Sequence, residues 1–397
     1  MAALLDLSSD QTRVLEQLLT WVEKPTGRSI TLGGYAGTGK TTLISILRRE
    51  LQAKHPDKKV AFAAYTGKAS QVLRLSLEAH EALFSQDTCG TIHKLMYEPS
   101  TDKEGRLISW RKTPELEAEL LIIDEASMIT DTLWMDLCSY NIPIIAIGDH
   151  GQLPPIGGSF HLLEKPDLTL EKIHRQAEGN PILQLAEEAR THGHITPGTY
   201  GKRVRKFSYE THDASDIDNV IDHLFSNYHD DMLILCGRNK TRIQLNQAIR
   251  AKQGHESVEP ESGEKVVCLK NIYTQPSGPI YNGMTGIIQH LGVEEPHWYS
   301  AEIEFPDDNR SYEGRLCLPQ FNALALVESV EGLEHKQIGD RFDFGYALTV
   351  HKAQGSQAKT VILFEERFEK ADDNAWKRWL YTAVTRAREN LYIIGSK

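Results

Sequence analysis

The amino-acid sequence predicts an α/β protein with two parallel-sheet lobes and a β-rich insert that splits the second. Three observations carry this reading. Over residues 29–148, short continuous apolar runs alternate with helical patterns, as in a parallel sheet covered on both faces. The same alternation returns over 232–253 and 360–395. Between those two stretches, residues 251–339 are rich in Gly and Pro and carry short alternating segments, the pattern of a small antiparallel barrel.

Each element follows in order. Residues 10–24 put Val14, Leu15, Leu18, Leu19 and Val22 on one helical face, with Ser8 or Ser9 available as the cap. Residues 29–33 form a buried strand, 34–40 a turn and 41–53 a helix. Further buried strands fall at 60–64, 120–123 and 144–148. In the second half, 232–236 is a strand, 239–253 an amphipathic helix, 360–364 a strand, 375–386 a helix and 391–395 a closing strand. Inside the insert, Asn282-Gly283 is a strong hairpin-turn signal.

Composition narrows the class. A 397-residue chain with 40% hydrophobic and 25% charged residues is globular and suits several domains. No apolar run approaches the length of a membrane span, and the start lacks a basic segment, so no secretory signal is expected. Cys89, Cys138, Cys236, Cys268 and Cys317 are scattered with no CxxC pair. That disfavours a disulfide framework or a structural zinc and points to a reducing cytoplasm. The net charge of −11 argues against a protein that coats nucleic acid non-specifically. The charge is uneven, however. The segment 251–339 holds six basic and fourteen acidic residues, so most of the excess sits in the insert. The run Lys202-Arg203-Val204-Arg205-Lys206 is either a local basic patch or the solvated edge of a strand.

Two motifs carry chemistry. Gly34-Tyr35-Ala36-Gly37-Thr38-Gly39-Lys40-Thr41 matches G-x-x-x-x-G-K-[ST] between a strand and a helix, the context in which backbone N–H groups converge on phosphate. Lys40 would reach the β- and γ-phosphates of ATP, and Thr41 would ligate Mg²⁺. Downstream, an apolar strand ends in Asp124-Glu125. Asp124 would hold Mg²⁺ through water and Glu125 would act as general base on the attacking water. Two carboxylates at a strand end could otherwise cap the next helix, but the upstream phosphate loop favours an NTPase.

These residues, with others in order along nearly the whole chain, resemble superfamily 1 helicases of the RecD-like, Dda-like branch. Gln11 stands at the adenine-reading glutamine. Beyond the phosphate loop, Ala64-Tyr65-Thr66-Gly67-Lys68-Ala69 resembles motif Ia, Thr91-Ile92-His93 motif Ib, and Asp124-Glu125-Ala126-Ser127-Met128 motif II. Gly148-Asp149-His150-Gly151-Gln152 resembles motif III, and Glu171-Lys172-Ile173-His174-Arg175 motif IV. Leu348-Thr349-Val350-His351-Lys352-Ala353-Gln354-Gly355 resembles motif V, and Tyr381-Thr382-Ala383-Val384-Thr385-Arg386 motif VI.

The resemblance implies two RecA-like lobes, spanning 1–167 and 168–250 with 340–397. It adds a small 1B-type hairpin insertion at 94–116 and an SH3-like insert at 251–339. It implies nucleotide contacts from Gln11, Gly34, Gly37, Thr38, Gly39, Lys40, Thr41, Thr42 and Gly355. Gln152 would sense the γ-phosphate, and Arg175 and Arg386 would be arginine fingers. Arg388 is a weaker candidate that could instead pair with a nearby acid. Contacts to single-stranded DNA would come from Thr66, Lys68, Thr91, His93, Thr349, His351 and Lys352. For His93 and His351 a satisfied core position is the alternative. The implied activity is ATP-driven 5′-to-3′ translocation and unwinding at a DNA fork, with no membrane partner; the pathway stays open between replication, recombination, repair and conjugation.

Leu107, Ile108 and Trp110 are candidates for a strand-separating wedge, Trp110 alternatively packing on lobe one. Tyr65 replaces the proline usual in motif Ia, and Gln357 replaces a common glutamate. The closing strand ends the chain, so no accessory nuclease or zinc domain is expected. The insert's acidity suits a wall that repels DNA. Two other readings stand beside this one. An RNA-directed relative is compatible with phosphate contacts alone. A non-catalytic nucleic-acid-binding subunit with a relic ATP site is disfavoured because Lys40 and Glu125 are both present.

Overall fold

The computed structural model describes residues 7–101, 107–155, 160–172, 179–295, 297–330, 338–367 and 372–395. Helix α1 (Ser9–Glu23) starts at Ser8. The Ser8 hydroxyl accepts from the Gln11 N–H at 3.2 Å while the Gln11 side chain accepts from the Ser8 N–H at 3.0 Å, a reciprocal capping box. Val14, Leu15, Leu18 and Val22 are buried as expected, and Trp21 joins them.

Lobe one contains β1 (Ser29–Gly34), α2 (Lys40–Lys54), β2 (Val60–Ala64), α3 (Gly67–Ala79), β3 (Thr88–Thr91) and α4 (Ile92–Met96). It continues through a hairpin of β4 (Tyr97–Thr101) and β5 (Leu107–Lys112) to β6 (Leu120–Asp124), α5 (Asp131–Cys138), β7 (Ile144–Gly148) and β8 (Leu168–Leu170). Six strands form a wholly parallel sheet in the order β3-β2-β6-β7-β1-β8. Alternate side chains serve the two faces: Phe62 and Ile122 enter one core, Ala63 and Ile123 the other. The boundary read at 167/168 cuts this sheet. Leu168 pairs with Leu32, so β8 covers the otherwise open edge of β1 and belongs to lobe one.

Lobe two begins with α6 (Pro181–His192), β9 (Gly198–Gly201), β10 (Val204–Phe207), α7 (Ala214–Ser226), β11 (Met232–Cys236) and α8 (Asn239–Lys252). The insert then forms an antiparallel sheet of β12 (Lys265–Cys268), β13 (Thr285–Glu295), β14 (Trp298–Phe305), β15 (Arg310–Cys317) and β16 (Phe342–Phe344), in the order β15-β14-β13-β12-β16. Its last strand runs past 339. Lobe two closes with β17 (Ala347–Thr349), β18 (Ala358–Phe364), α9 (Asp373–Val384) and β19 (Ala387–Ile394). Its sheet runs β17-β11-β18-β19-β10-β9, parallel except for the β9/β10 pair.

The insert is fused to lobe two. One apolar core contains Ile234 and Ile249 of the lobe together with Val266, Ile303, Phe342 and Phe344 of the insert. Buried ion pairs cross the same boundary, Arg242 to Asp343 at 2.7 Å and Arg250 to Glu264 at 2.6 Å. The basic run at 202–206 is split by strand alternation. Lys202, Arg203 and Arg205 are exposed, whereas Lys206 is buried against Glu365. Among the described residues no helix is long and apolar enough to cross a membrane.

In lobe one a fully buried pair joins α2 to the approach to β3: Arg48 Nε and Nη2 donate to Asp87 at 2.9 and 3.0 Å. The same carboxylate accepts from the backbone N–H groups of Val60 and Phe84. Removing it strands a buried guanidinium, so Asp87→Ala is expected to destabilise the protein by about 3–5 kcal/mol. Urea unfolding measures this, and a loss under about 1 kcal/mol would show that the pair behaves like a surface contact.

Candidate nucleotide cleft and nucleic-acid channel

The phosphate loop leaves β1 at the sheet's carboxyl edge. Gly37 and Gly39 take φ of 81° and 79°, in the left-handed region that glycine tolerates. At Gly39 a Cβ would also sit 2.4 Å from the Gln11 amide nitrogen. That amide donates to the Thr38 carbonyl at 3.0 Å, so Gln11 braces the loop from behind. Lys40 Nζ donates to the Gly34 and Tyr35 carbonyls at 2.7 and 3.0 Å, which holds the ammonium over the loop mouth.

Asp124 ends β6, two strands from β1 in the sheet. Loss of solvent, then the neighbouring Glu125 carboxylate, pushes its pKa up to about 6, although Lys40 and a hydrogen bond from Thr41 oppose the rise. Glu125 has φ of 53°, an αL conformation costing a non-glycine residue about 1–3 kcal/mol. Its Oε2 is buried with no hydrogen-bond partner among the described residues. A carboxyl pair beside Thr41 and Lys40, with one orphaned buried oxygen, fits a hard cation and its water.

Lobe two reaches this cleft through α9. Tyr381 accepts a hydrogen bond from the Ala36 N–H of the phosphate loop at 2.8 Å and donates to Asp149 at 2.6 Å. Thr382 Oγ1 accepts from the Leu153 N–H at 2.9 Å, and Arg378 donates to the Gln152 carbonyl at 3.3 Å. Gln152 is buried beside Asp149, and its Oε1 has no partner among the described residues. Arg386 is 1% exposed, and its guanidinium donates to Thr382 O, Thr385 Oγ1 and Ser356 O within its own lobe. Arg175 lies outside the described residues. Arg388 pairs with Asp231 at 2.8 Å, as the alternative for it anticipated. Arg190 of α6 stacks on the Tyr35 ring at 4.0 Å.

Behind the cleft a cavity of about 540 Å³ lies between lobe one, the insert and the turn after β17. Thr66, Lys68, Thr91, His93, His351 and Lys352 all line it, as does Trp110. Thr349 does not; it is buried, with its hydroxyl accepting from the Lys352 N–H at 3.4 Å. Thr66 and Thr91 also cap α3 and α4, and Thr66 Oγ1 donates to the Gly355 carbonyl at 3.3 Å. Gly355 itself meets Met128 and Thr66, on the channel side rather than at the phosphate loop. The side chains of Leu107 and Ile108 lie outside the described residues.

The channel is more aromatic and more acidic than its motifs imply. The His93 ring lies 3.9 Å from that of Tyr281 in the insert, with Tyr65 at 5.9 Å and Tyr97 at 6.0 Å. Burial, aided by Arg310, pushes its pKa down to about 4. Burial also lowers His351, and it lowers Lys352 to about 8, leaving that ammonium mostly charged at neutral pH. His93 is therefore a neutral ring suited to stacking on a base, not a cation for phosphate. From the insert, Asp308 accepts from the Gly67 N–H at 2.9 Å and Asp307 pairs with Lys68 at 3.8 Å.

Residues 6–205, half of the chain, match the family described as AAA domain, and residues 344–394 match the UvrD-like helicase C-terminal domain. The chain belongs to the AAA-domain family, in its RecD- and Dda-like superfamily 1 helicase branch. It is 28% identical to the ATP-dependent RecD2 DNA helicase of Deinococcus radiodurans, over 98% of this chain but only 49% of that protein, so it spans about half that relative's length. It is 24% identical to the ATP-dependent DNA helicase dda of Enterobacteria phage T4, over 92% of this chain and 94% of the phage protein. Its fold is similar to a Bacteroides Pif1 helicase crystallised with ADP-AlF3 and single-stranded DNA, at TM-score 0.50 and 19% identity, covering 99% and 93% of the two chains.

In this superfamily 1 chain the residues missed by sequence reasoning are Asp149, Tyr381, Arg190, Tyr281 and Arg310. Asp149 and Tyr381 stand inside motifs III and VI, where each passed as a spacer. The others carry no local signal. His93 supplies a test. Its ring signals in NMR are expected to stay untitrated from pH 5 to 8, and a midpoint near the ordinary value of 6.5 would refute the burial argument. The linkage sign follows: between 6.5 and about 4 the unfolded chain binds the extra proton, so this residue's contribution to stability falls as pH drops through that window.

Proposed function

We propose that the protein is an ATP-driven helicase that moves 5′ to 3′ along single-stranded DNA and separates duplex at a fork. The observation that carries this is the buried oxygen of Glu125, without a partner among the described residues, beside Asp124 and the phosphate loop. It suits a carboxylate poised on an attacking water rather than one capping a helix. The named activities of the Deinococcus and phage relatives support the DNA-directed reading.

In this reading the loop amides and Lys40 bind and orient the ATP phosphates, Gln11 steadies the loop, and Glu125 takes the proton of the attacking water. Thr41 and Asp124 would hold Mg²⁺, which supplies charge neutralisation on the β- and γ-phosphates when bound. Arg386, once released from its bonds within lobe two, would stabilise charge on the transferring group, and the resemblance gives Arg175 the same role. Gln152, between Asp149 and α9, reports the phosphate state to lobe two. Thr66, Lys68, Thr91 and Lys352 hold the strand's phosphates, while His93 and Tyr281 offer ring faces to its bases. Trp110, on the hairpin and facing the channel, is the wedge candidate with a described position.

The decisive measurement is unwinding of partial duplexes with a 5′ or a 3′ tail, with and without ATP. Opening of the 5′-tailed substrate alone is expected; opening of only the 3′-tailed one would reverse the polarity. Matched RNA oligomers that stimulate ATP hydrolysis better than DNA would favour the RNA-directed relative. Lys40→Ala is expected to abolish hydrolysis, and Glu125→Gln to bind ATP without turnover. Arg386→Ala should keep ATP binding while turnover falls by about 10³-fold or more. Wild-type turnover in any of the three would remove that residue from its role.

A further inference from the structure

We infer that the Tyr381 hydroxyl is the positioning group that ties the phosphate loop and Asp149 of lobe one to α9 of lobe two, so that closure of the cleft and the state of the loop change together. The inference rests on the helicase reading above and adds a residue to it. A phenol hydroxyl offers one donor and can accept in return. Here it accepts from the Ala36 N–H at 2.8 Å and donates to Asp149 at 2.6 Å, so both roles are spent on lobe one while the side chain belongs to lobe two. Tyr381 is only 2% exposed, so water cannot substitute for either partner. Burial and the Asp149 charge raise the phenol pKa well above its ordinary value, which keeps the hydroxyl a donor at any working pH.

Its neighbours make the contact directional. Ala36 lies within the phosphate loop, so a nucleotide that reshapes the loop alters a bond to lobe two. Asp149 also accepts from the Gly151 N–H at 3.0 Å and from the Gln152 side chain at 3.4 Å, so the phenol bears on the turn that carries Gln152. One residue along α9, Thr382 holds Leu153 and receives Arg386 Nε on its carbonyl at 3.0 Å. A shift of α9 therefore moves the Arg386 finger and the Asp149 turn as one body. Tyr381 contacts no reacting atom, so it acts by positioning.

Tyr381→Phe removes the hydroxyl and keeps the ring that meets Tyr35 edge-on at 6.1 Å. Losing a bond to a charged acceptor is expected to lower kcat for ATP with oligo-dT by about tenfold to a hundredfold, while KM for ATP stays within about threefold. Asp149→Asn keeps an acceptor and should lose less. The double variant should be no slower than Tyr381→Phe alone, because the two groups act as a unit. Energy transfer between a dye on each lobe, read with AMP-PNP and Mg²⁺, should give a smaller closed fraction for Tyr381→Phe than for wild type. A kcat within about twofold of wild type, additive losses in the double variant, or equal closed fractions would each overturn the inference. A wild-type enzyme that oligo-dT fails to stimulate would instead sink the DNA reading, and the closure measurement would still decide the role of Tyr381.

Discussion

Parallel pairing of β1 with β7, and of β7 with β6, is the constraint on which the site rests. Because all three strands point the same way, the phosphate loop, Asp149 and Asp124-Glu125 leave the sheet at one edge. The register is specific: Gly33 lies opposite Gly148, so the loop after β1 and the turn after β7 start level with each other. At Gly148 a Cβ would meet Leu163 at 2.7 Å and the Ala126 and Ser127 amides at 3.0 Å, which explains a residue with no side chain where two loops converge. An antiparallel partner at either place would send one of these groups to the opposite end of the lobe.

The second organising fact is that the molecule has fewer moving parts than its sequence segments imply. The insert shares a core and two buried ion pairs with lobe two, so it travels with that lobe. Among the described residues, lobe one meets this body in two places. At the cleft, α9 bonds to the phosphate loop and to the turn that carries Gln152. At the channel, Thr66 bonds to Gly355, and Gly67 and Lys68 meet the insert's carboxylates. In the proposed reading, nucleotide and strand would act on the junction between the lobes from opposite sides, which would give chemistry at one a physical route to the other.

Much of this was legible in sequence, for a local reason. Strands β2, β6, β7 and β11 are continuous apolar runs, and the phosphate loop and Asp124-Glu125 are set by spacing along the chain. The short strands β3, β8 and β17 have only three or four residues, some of them Thr or Gly, and take their strand character from the neighbours they pair with. The Tyr381 bonds join residues 345 and 232 positions apart, so no window along the chain contains both ends. The neutrality of His93 has the same origin. It comes from burial in a cluster with Tyr281 of a distant insert, whereas residue type alone gives a ring that titrates just below neutral pH.

The contact between Asp308 and the Gly67 N–H has a consequence for ionic-strength behaviour. The insert's two carboxylates already occupy Gly67 and Lys68, which otherwise suit a phosphate. A strand that claims those groups must first evict carboxylates rather than dissolved anions, so part of the charge exchange on binding stays inside the protein. The number of counterions set free is then smaller than the cations along the channel suggest, and affinity declines less steeply with added salt than a bare basic groove of the same residues would require.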